Sequence, residues 1–94
     1  MKLTVQFESQ LQMVAGTRQL TIDVHQATSL SEAVSGIAEQ NPPDLRERLL
    51  SEEGKIRPSL LVFINNQPIP SGKADTIELH EGDCISFYPP ISGG

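Results

Sequence analysis

Leu3, Val5 and Phe7 alternate with Lys2, Thr4, Gln6 and Glu8, the period of two left by a strand with one buried face. Residues 2–8 are therefore predicted as a first strand. After a polar connection that turns at Gly16-Thr17, Leu20, Ile22 and Val24 alternate with Gln19, Thr21 and Asp23, which predicts residues 18–24 as its hairpin partner. The period then changes. Leu30, Ala33, Val34, Ile37 and Ala38 recur at i, i+3, i+4, i+7 and i+8 behind a Ser29/Glu32 capping-box spacing, predicting the main helix. Gly36 weakens that helix slightly. Asn41 before Pro42-Pro43 stops it near Gln40, because proline removes a donor and pushes its predecessor out of helical backbone.

Asp44 to Leu50 reads as a short second helix, capped by Asp44, with Leu45 and Leu49 one turn apart and Gly54 ending it. Leu60-Leu61-Val62-Phe63-Ile64 is an unbroken apolar run of strand length, predicted to be well covered within a sheet. Asn65-Asn66 supplies a turn. Pro68 and Pro70 confine Gln67 to Pro70 to an edge or short return segment. Thr76 to Leu79 is a further short strand candidate, and Glu81-Gly82-Asp83 turns the chain into Cys84-Ile85-Ser86-Phe87-Tyr88, with Ile85 and Phe87 on one face. The order predicts an α+β fold, a mixed sheet of four to five strands with one main helix packed across one face.

The length of 94 residues allows one domain, divided into a body, 1–88, and an extended tail, 89–94. Seven basic against twelve acidic side chains give a net charge of -5. That balance disfavours nucleic acid as a partner and favours a protein with a basic groove. A single cysteine excludes an internal disulfide framework. The chain has no apolar stretch near the ~20 residues of a membrane span, and Met1-Lys2-Leu3-Thr4 lacks the build of a signal peptide. No membrane association and a cytoplasmic location are expected.

Several residues invite chemistry without supporting it. Cys84, alone in a strand, reads as a packing residue before a sulfur relay. His25 and His80 stand in separate polar turns without metal-ligand spacing, so no metal site is expected. Glu52-Glu53 with Asp44 and Glu47 reads as a solvated face. Gly72-Lys73 lacks the glycine frame of a phosphate loop, so the chain is not expected to bind ATP by itself.

The end of the chain is more informative. The last strand runs without a linker into Pro89-Pro90-Ile91-Ser92-Gly93-Gly94. The prolines end ladder pairing and stiffen the exit. Gly93 and Gly94, without a Cβ, let the backbone enter a narrow channel in another protein. The candidate functional group is thus the C-terminal carboxylate of Gly94, a frayed end being the alternative. Tyr88, on the face opposite Phe87 and next to the tail, is a candidate interface aromatic or else an ordinary half-buried strand tyrosine.

Phe87-Tyr88-Pro89-Pro90-Ile91-Ser92-Gly93-Gly94 resembles the ending of the MoaD/ThiS sulfur carriers, which have the ubiquitin-like β-grasp fold, and its Phe-x-Pro-Pro form is closest to MoaD. The stretches Arg57 to Gln67 and Leu79 to Asp83 also resemble the family's third strand and final turn. The first half follows the family in element order only. Asn41 to Lys55 is longer than in the shortest carriers and resembles relatives that serve cysteine or other thiolation pathways.

The resemblance implies a protein cosubstrate with no catalytic side chain and no cofactor of its own. A ubiquitin-activating-like adenylyltransferase of the MoeB/ThiF type would use MgATP to adenylate Gly94, and sulfur would displace AMP to leave a thiocarboxylate. Gly93, Ser92, Ile91, Pro90, Pro89 and Tyr88 would contact the partners. The Phe-x-Pro-Pro form implies the small subunit of molybdopterin synthase, with the large subunit receiving the tail. Carriers for cysteine, thiamine or tRNA thiolation, a ubiquitin-like modifier joined to lysines, and a β-grasp interaction module with an inert tail remain the alternatives.

Overall fold

In the computed structural model, which describes residues 1–90, the alternation of the first segment becomes β1 (Lys2–Phe7). Leu3, Val5 and Phe7 are buried on one face. It pairs antiparallel with β2 (Gln19–Asp23), Val5 opposite Leu20 and Leu3 opposite Ile22. The connection between them, read from the sequence as a polar segment turning at Gly16-Thr17, holds a short helix, α1 (Gln10–Ala15), closed by Gly16 at φ 79°. Leu11 is fully buried, Val14 and Ala15 pack against the core beside it, and Met13 is 85% exposed. Leu11, Val14 and Ala15 fall at helical spacing, but six residues make fewer than two turns, too short for that spacing to stand out.

The main helix, α2 (Leu30–Glu39), has both capping-box bonds: Glu32 N–H donates to Ser29 Oγ at 3.2 Å, and Ser29 N–H donates to Glu32 Oε1 at 3.1 Å. All five periodic side chains, Leu30, Ala33, Val34, Ile37 and Ala38, are buried. Asn41 Nδ2 donates to the Ile37 carbonyl at 2.7 Å, satisfying one of the acceptors that a helix end leaves open.

α3 (Pro43–Leu49) begins at a proline, whose missing N–H costs nothing in a first turn. Asp44 therefore lies inside the helix and not at its cap. Leu45 and Leu49 are fully buried. Leu50 ends the helix by turning extended and bridging to Ile56, so Gly54, at φ 80°, shapes the loop beyond it and does not terminate the helix.

β3 (Leu61–Ile64) and β4 (Gln67–Ile69) form a hairpin over Asn65-Asn66. Both asparagines have positive φ, 50° and 69°, the backbone of the two-residue turn that matches strand twist. The candidate strand at 76–79 is not in the sheet. A 3₁₀ helix occupies Ser71–Thr76, and the backbone after it pairs with the lead-in to α2: Leu30 N–H donates to the Ile77 carbonyl and Leu79 N–H to the Thr28 carbonyl, at 2.9 and 3.0 Å. Leu79 is thereby buried.

β5 (Cys84–Tyr88) completes a sheet of order β2-β1-β5-β3-β4. It lies parallel to β1 and antiparallel to β3. The buried side chains of the sheet and those of the helices form one hydrophobic cluster. The opposite face of the sheet is open, which corrects the expectation of a well-covered β3: Leu61 is 42% exposed while its neighbour Val62 is buried.

Candidate functional site

The tail leaves from β5, the central strand, and both ends of that strand are fixed. At its start, Asp83 Oδ2 accepts from His80 N–H at 2.8 Å and Gly82, at φ 84°, donates its N–H to the Lys2 carbonyl. Asn65 then clips the strand to the β3–β4 turn. Its Nδ2 donates to Asp83 Oδ1 and its Oδ1 accepts from Cys84 N–H, both at 2.9 Å. At the far end, Glu8 N–H donates to the Phe87 carbonyl at 3.0 Å. Phe87 itself is fully buried and stacks on Phe7 with ring centroids 5.8 Å apart.

Replacing Asn65 with Ala removes both side-chain bonds and leaves a Cβ-bearing residue without Asn's tolerance of left-handed backbone. The expected cost is about 1–3 kcal/mol in urea denaturation. An unchanged midpoint would mean that the clip contributes nothing.

At the exit, the open face changes character. Tyr88 is 40% exposed and meets Phe63 edge-on, with centroids 5.2 Å apart at 69°. Leu61 stands opposite Tyr88 on β3, and the exposed Pro68 stands opposite Phe63 on β4. Toward β2 the same face is polar. Ser86 Oγ donates to Gln6 Oε1, and Gln6 Nε2 to Gln19 Oε1, each at 3.2 Å. An apolar patch thus borders the point where the tail begins.

Of the predicted site residues, Tyr88 lies on the face opposite Phe87, as the alternation requires. Pro89 is half-buried and Pro90 exposed. Ile91, Ser92, Gly93 and Gly94 lie outside the described residues. Leu61, Phe63 and Pro68 were not singled out by the sequence. The signal for Leu61 and Phe63 was present in the alternation hidden inside an all-apolar run, but only the pairing of β3 with β5 and with β4 gathers them and Pro68 into one patch with Tyr88.

Cys84 is half-buried on the open face, its Sγ 3.9 Å from Ser86 Oγ. His80 Nδ1 lies 3.9 Å from Asp83 Oδ2. Among the described residues no three His, Cys, Asp or Glu side chains form a group able to hold a metal ion. No helix of the described residues is long and apolar enough to cross a membrane.

A mixed sheet of order β2-β1-β5-β3-β4 wrapped on a main helix, with β5 at its centre, defines the ubiquitin-like β-grasp fold. The chain belongs to the ThiS family, whose model matches residues 5–94. It is 27% identical to small archaeal modifier protein 1 of Haloferax volcanii, over 86% of this chain and 87% of that one. A crystal structure of SAMP1 from Haloferax volcanii superposes with a TM-score of 0.85 at 23% identity, covering 100% of both chains. The BexX/CysO complex of Amycolatopsis orientalis contains a similar chain, with a TM-score of 0.68 at 20% identity over 98% of this chain and 99% of that one.

Proposed function

We propose that this protein carries sulfur as a thiocarboxylate on Gly94, and that molybdopterin formation is the pathway it supplies. The reading rests on one observation: the anchored central strand ends at Tyr88, beside Leu61 and Phe63, and continues directly into Pro89-Pro90-Ile91-Ser92-Gly93-Gly94. A rigid body, an apolar docking patch and a slender tail ending in a carboxylate suit delivery of one group into another enzyme's active site. The choice of pathway rests on the Phe-x-Pro-Pro form of the ending.

A carboxylate is a poor acyl donor because oxide would have to leave. An activating enzyme of the MoeB/ThiF type removes that obstacle with MgATP. A Gly94 oxygen attacks the α-phosphorus, pyrophosphate leaves, and the resulting acyl adenylate has AMP as its leaving group. Hydrosulfide from a sulfur source then adds at the carbonyl carbon; AMP departs, a proton is lost, and the thiocarboxylate remains. Its sulfur is anionic and nucleophilic in the manner of a thiolate. All these steps take place on partner enzymes, and this chain supplies the acyl group and the surface that positions it. Its net charge of -5 complements basic surfaces on those partners.

The test is the intact mass of the protein isolated from its own cells during active cofactor synthesis. Replacement of one oxygen by sulfur, mapped to the terminal peptide, supports the reading. An unmodified carboxylate would refute it. A second reading, conjugation through Gly94 to lysine amines, is favoured by the similarity to a small archaeal modifier protein. It needs the same adenylate with an amine in place of hydrosulfide, and it would show as high-mass adducts that cleave to a Gly-Gly remnant on lysine.

The patch gives a separate prediction. Phe63→Asp places a charge on the open face without entering the core, so the domain stays folded. Half-saturation of the activating enzyme, followed by pyrophosphate release, is expected to require at least about tenfold more carrier. An unchanged half-saturation would remove the patch from the interface.

A further inference from the structure

The edge of the sheet formed by β2 carries a second surface, which nothing in the carrier chemistry uses. Phe7 N–H donates to the Arg18 carbonyl at 2.7 Å and Val24 N–H to the Met1 carbonyl at 2.9 Å. These two bonds set the phase of the β1–β2 ladder, because antiparallel pairing alternates bonded and non-bonded residue pairs. Leu20 and Ile22 therefore turn their backbone groups toward β1, and Gln19, Thr21 and Asp23 turn theirs outward. The Thr17 hydroxyl occupies both outward groups of Gln19, at 3.0 and 3.4 Å. The N–H and C=O of Thr21 and Asp23 have no partner among the described residues.

Beside this open edge, a groove of about 210 Å³ runs between β2 and α2. Ile22, Ala33, Gly36 and Ile37 line it, and Asp23 and Glu32 are its charged residues; no Lys or Arg lines it. Asp23 meets the Met1 ammonium at 3.3 Å, yet its side chain remains 73% exposed.

Gly36 is the residue that the fold leaves unexplained. Glycine is disfavoured inside a helix relative to alanine, and its φ here is not one that demands glycine. A Cβ built on it meets nothing within 4 Å. Packing within this chain gives no reason for its bare backbone, which opens the groove at the middle of α2.

We propose that an extended segment of a partner protein adds as a strand to β2, pairing with Thr21 and Asp23. Apolar side chains on alternate residues would lie in the groove over Gly36, and flanking Lys or Arg would face Asp23 and Glu32. Free edge groups select extended backbone, the groove selects a two-residue apolar period, and the acidic rim selects basic flanks. β1 separates this edge from β5, so the site is distinct from the patch at Leu61, Phe63 and Tyr88. The inference is independent of whether Gly94 carries sulfur.

The test uses the full chain, isotope-labelled, titrated with a synthetic peptide of sequence Lys-Lys-Thr-Val-Thr-Ile-Thr-Val-Lys-Lys and followed by nuclear magnetic resonance. Amide shifts are expected at residues 19–24 and 32–40, and exchange of the Thr21 and Asp23 amides is expected to slow by about tenfold or more on binding. Gly36→Gln, a better helix former that fills the groove, is expected to raise the melting temperature while weakening the peptide at least about tenfold. Absence of shifts at millimolar peptide, shifts confined to the open face, or undiminished binding by Gly36→Gln would each overturn the proposal. A peptide with Glu replacing every Lys is expected to bind more weakly; equal binding would overturn the assigned charge preference.

Discussion

Deletion of Gly94 is expected to abolish sulfur loading while leaving the melting temperature unchanged. The two effects separate because the hydrophobic core on the sheet closes at Phe87, ahead of the tail. Removing one residue shortens the reach of the terminal carboxylate by at most about 3.5 Å. On the proposed function, the domain would still dock through its patch but the carboxylate would stop short of the adenylating site. A misplacement of only ~1 Å costs on the order of a hundredfold in rate, so loss beyond detection is expected. Intact mass after incubation with an activating enzyme, MgATP and a sulfide source is the readout, with thermal unfolding as the control. Loading of the shortened chain at the normal rate would refute the role given to Gly94.

The largest expected loss of stability is at Phe87→Ala. This side chain is fully buried and stacked on Phe7, in a strand bonded on both sides by β1 and β3. Truncating such a phenylalanine costs about 3–5 kcal/mol in transfer free energy and residual cavity. Native domains are stable by only about 5–15 kcal/mol, so the variant falls by a large fraction of the total, roughly 15–30 °C in melting temperature. Tyr88→Ala, one residue on, is the contrast. Its ring lies on the open face, and the expected cost is below about 1.5 kcal/mol, mainly the lost contact with Phe63. Chemical denaturation of both variants checks the alternation directly. Equal losses would mean that Phe87 and Tyr88 do not face opposite sides.

The sequence was most legible where one physical demand dominates. In α2 the period of 3.6, the capping box and the two prolines after Asn41 all agree, and the structure has the helix, both cap bonds and the stop. β1 and β2 were readable because one buried face enforces strict alternation. The errors fall where that agreement is missing. α1 rests on Leu11, Val14 and Ala15 within fewer than two turns, too short a stretch for the period to stand out. Thr76 to Leu79 has the composition of a strand, but its backbone partners are residues 28–30, far away in sequence. β3 looked covered because both of its faces are apolar, a pattern shared by a buried strand and by a strand that keeps an apolar face exposed.

By itself the sequence determined the domain's class, its main helix, the strand that bears the tail and the composition of that tail, because each depends on neighbours within a few residues. Only the tertiary structure decided that β5 lies between β1 and β3, which makes the tail an extension of the sheet's best-anchored strand. It also decided that Leu61 and Phe63 join Tyr88 in one patch, and that Thr21 and Asp23 turn unpaired backbone toward a groove over Gly36. These features arise from pairing between distant segments. A period of two says that residues alternate; it does not say which strand lies next door or which face the helix covers.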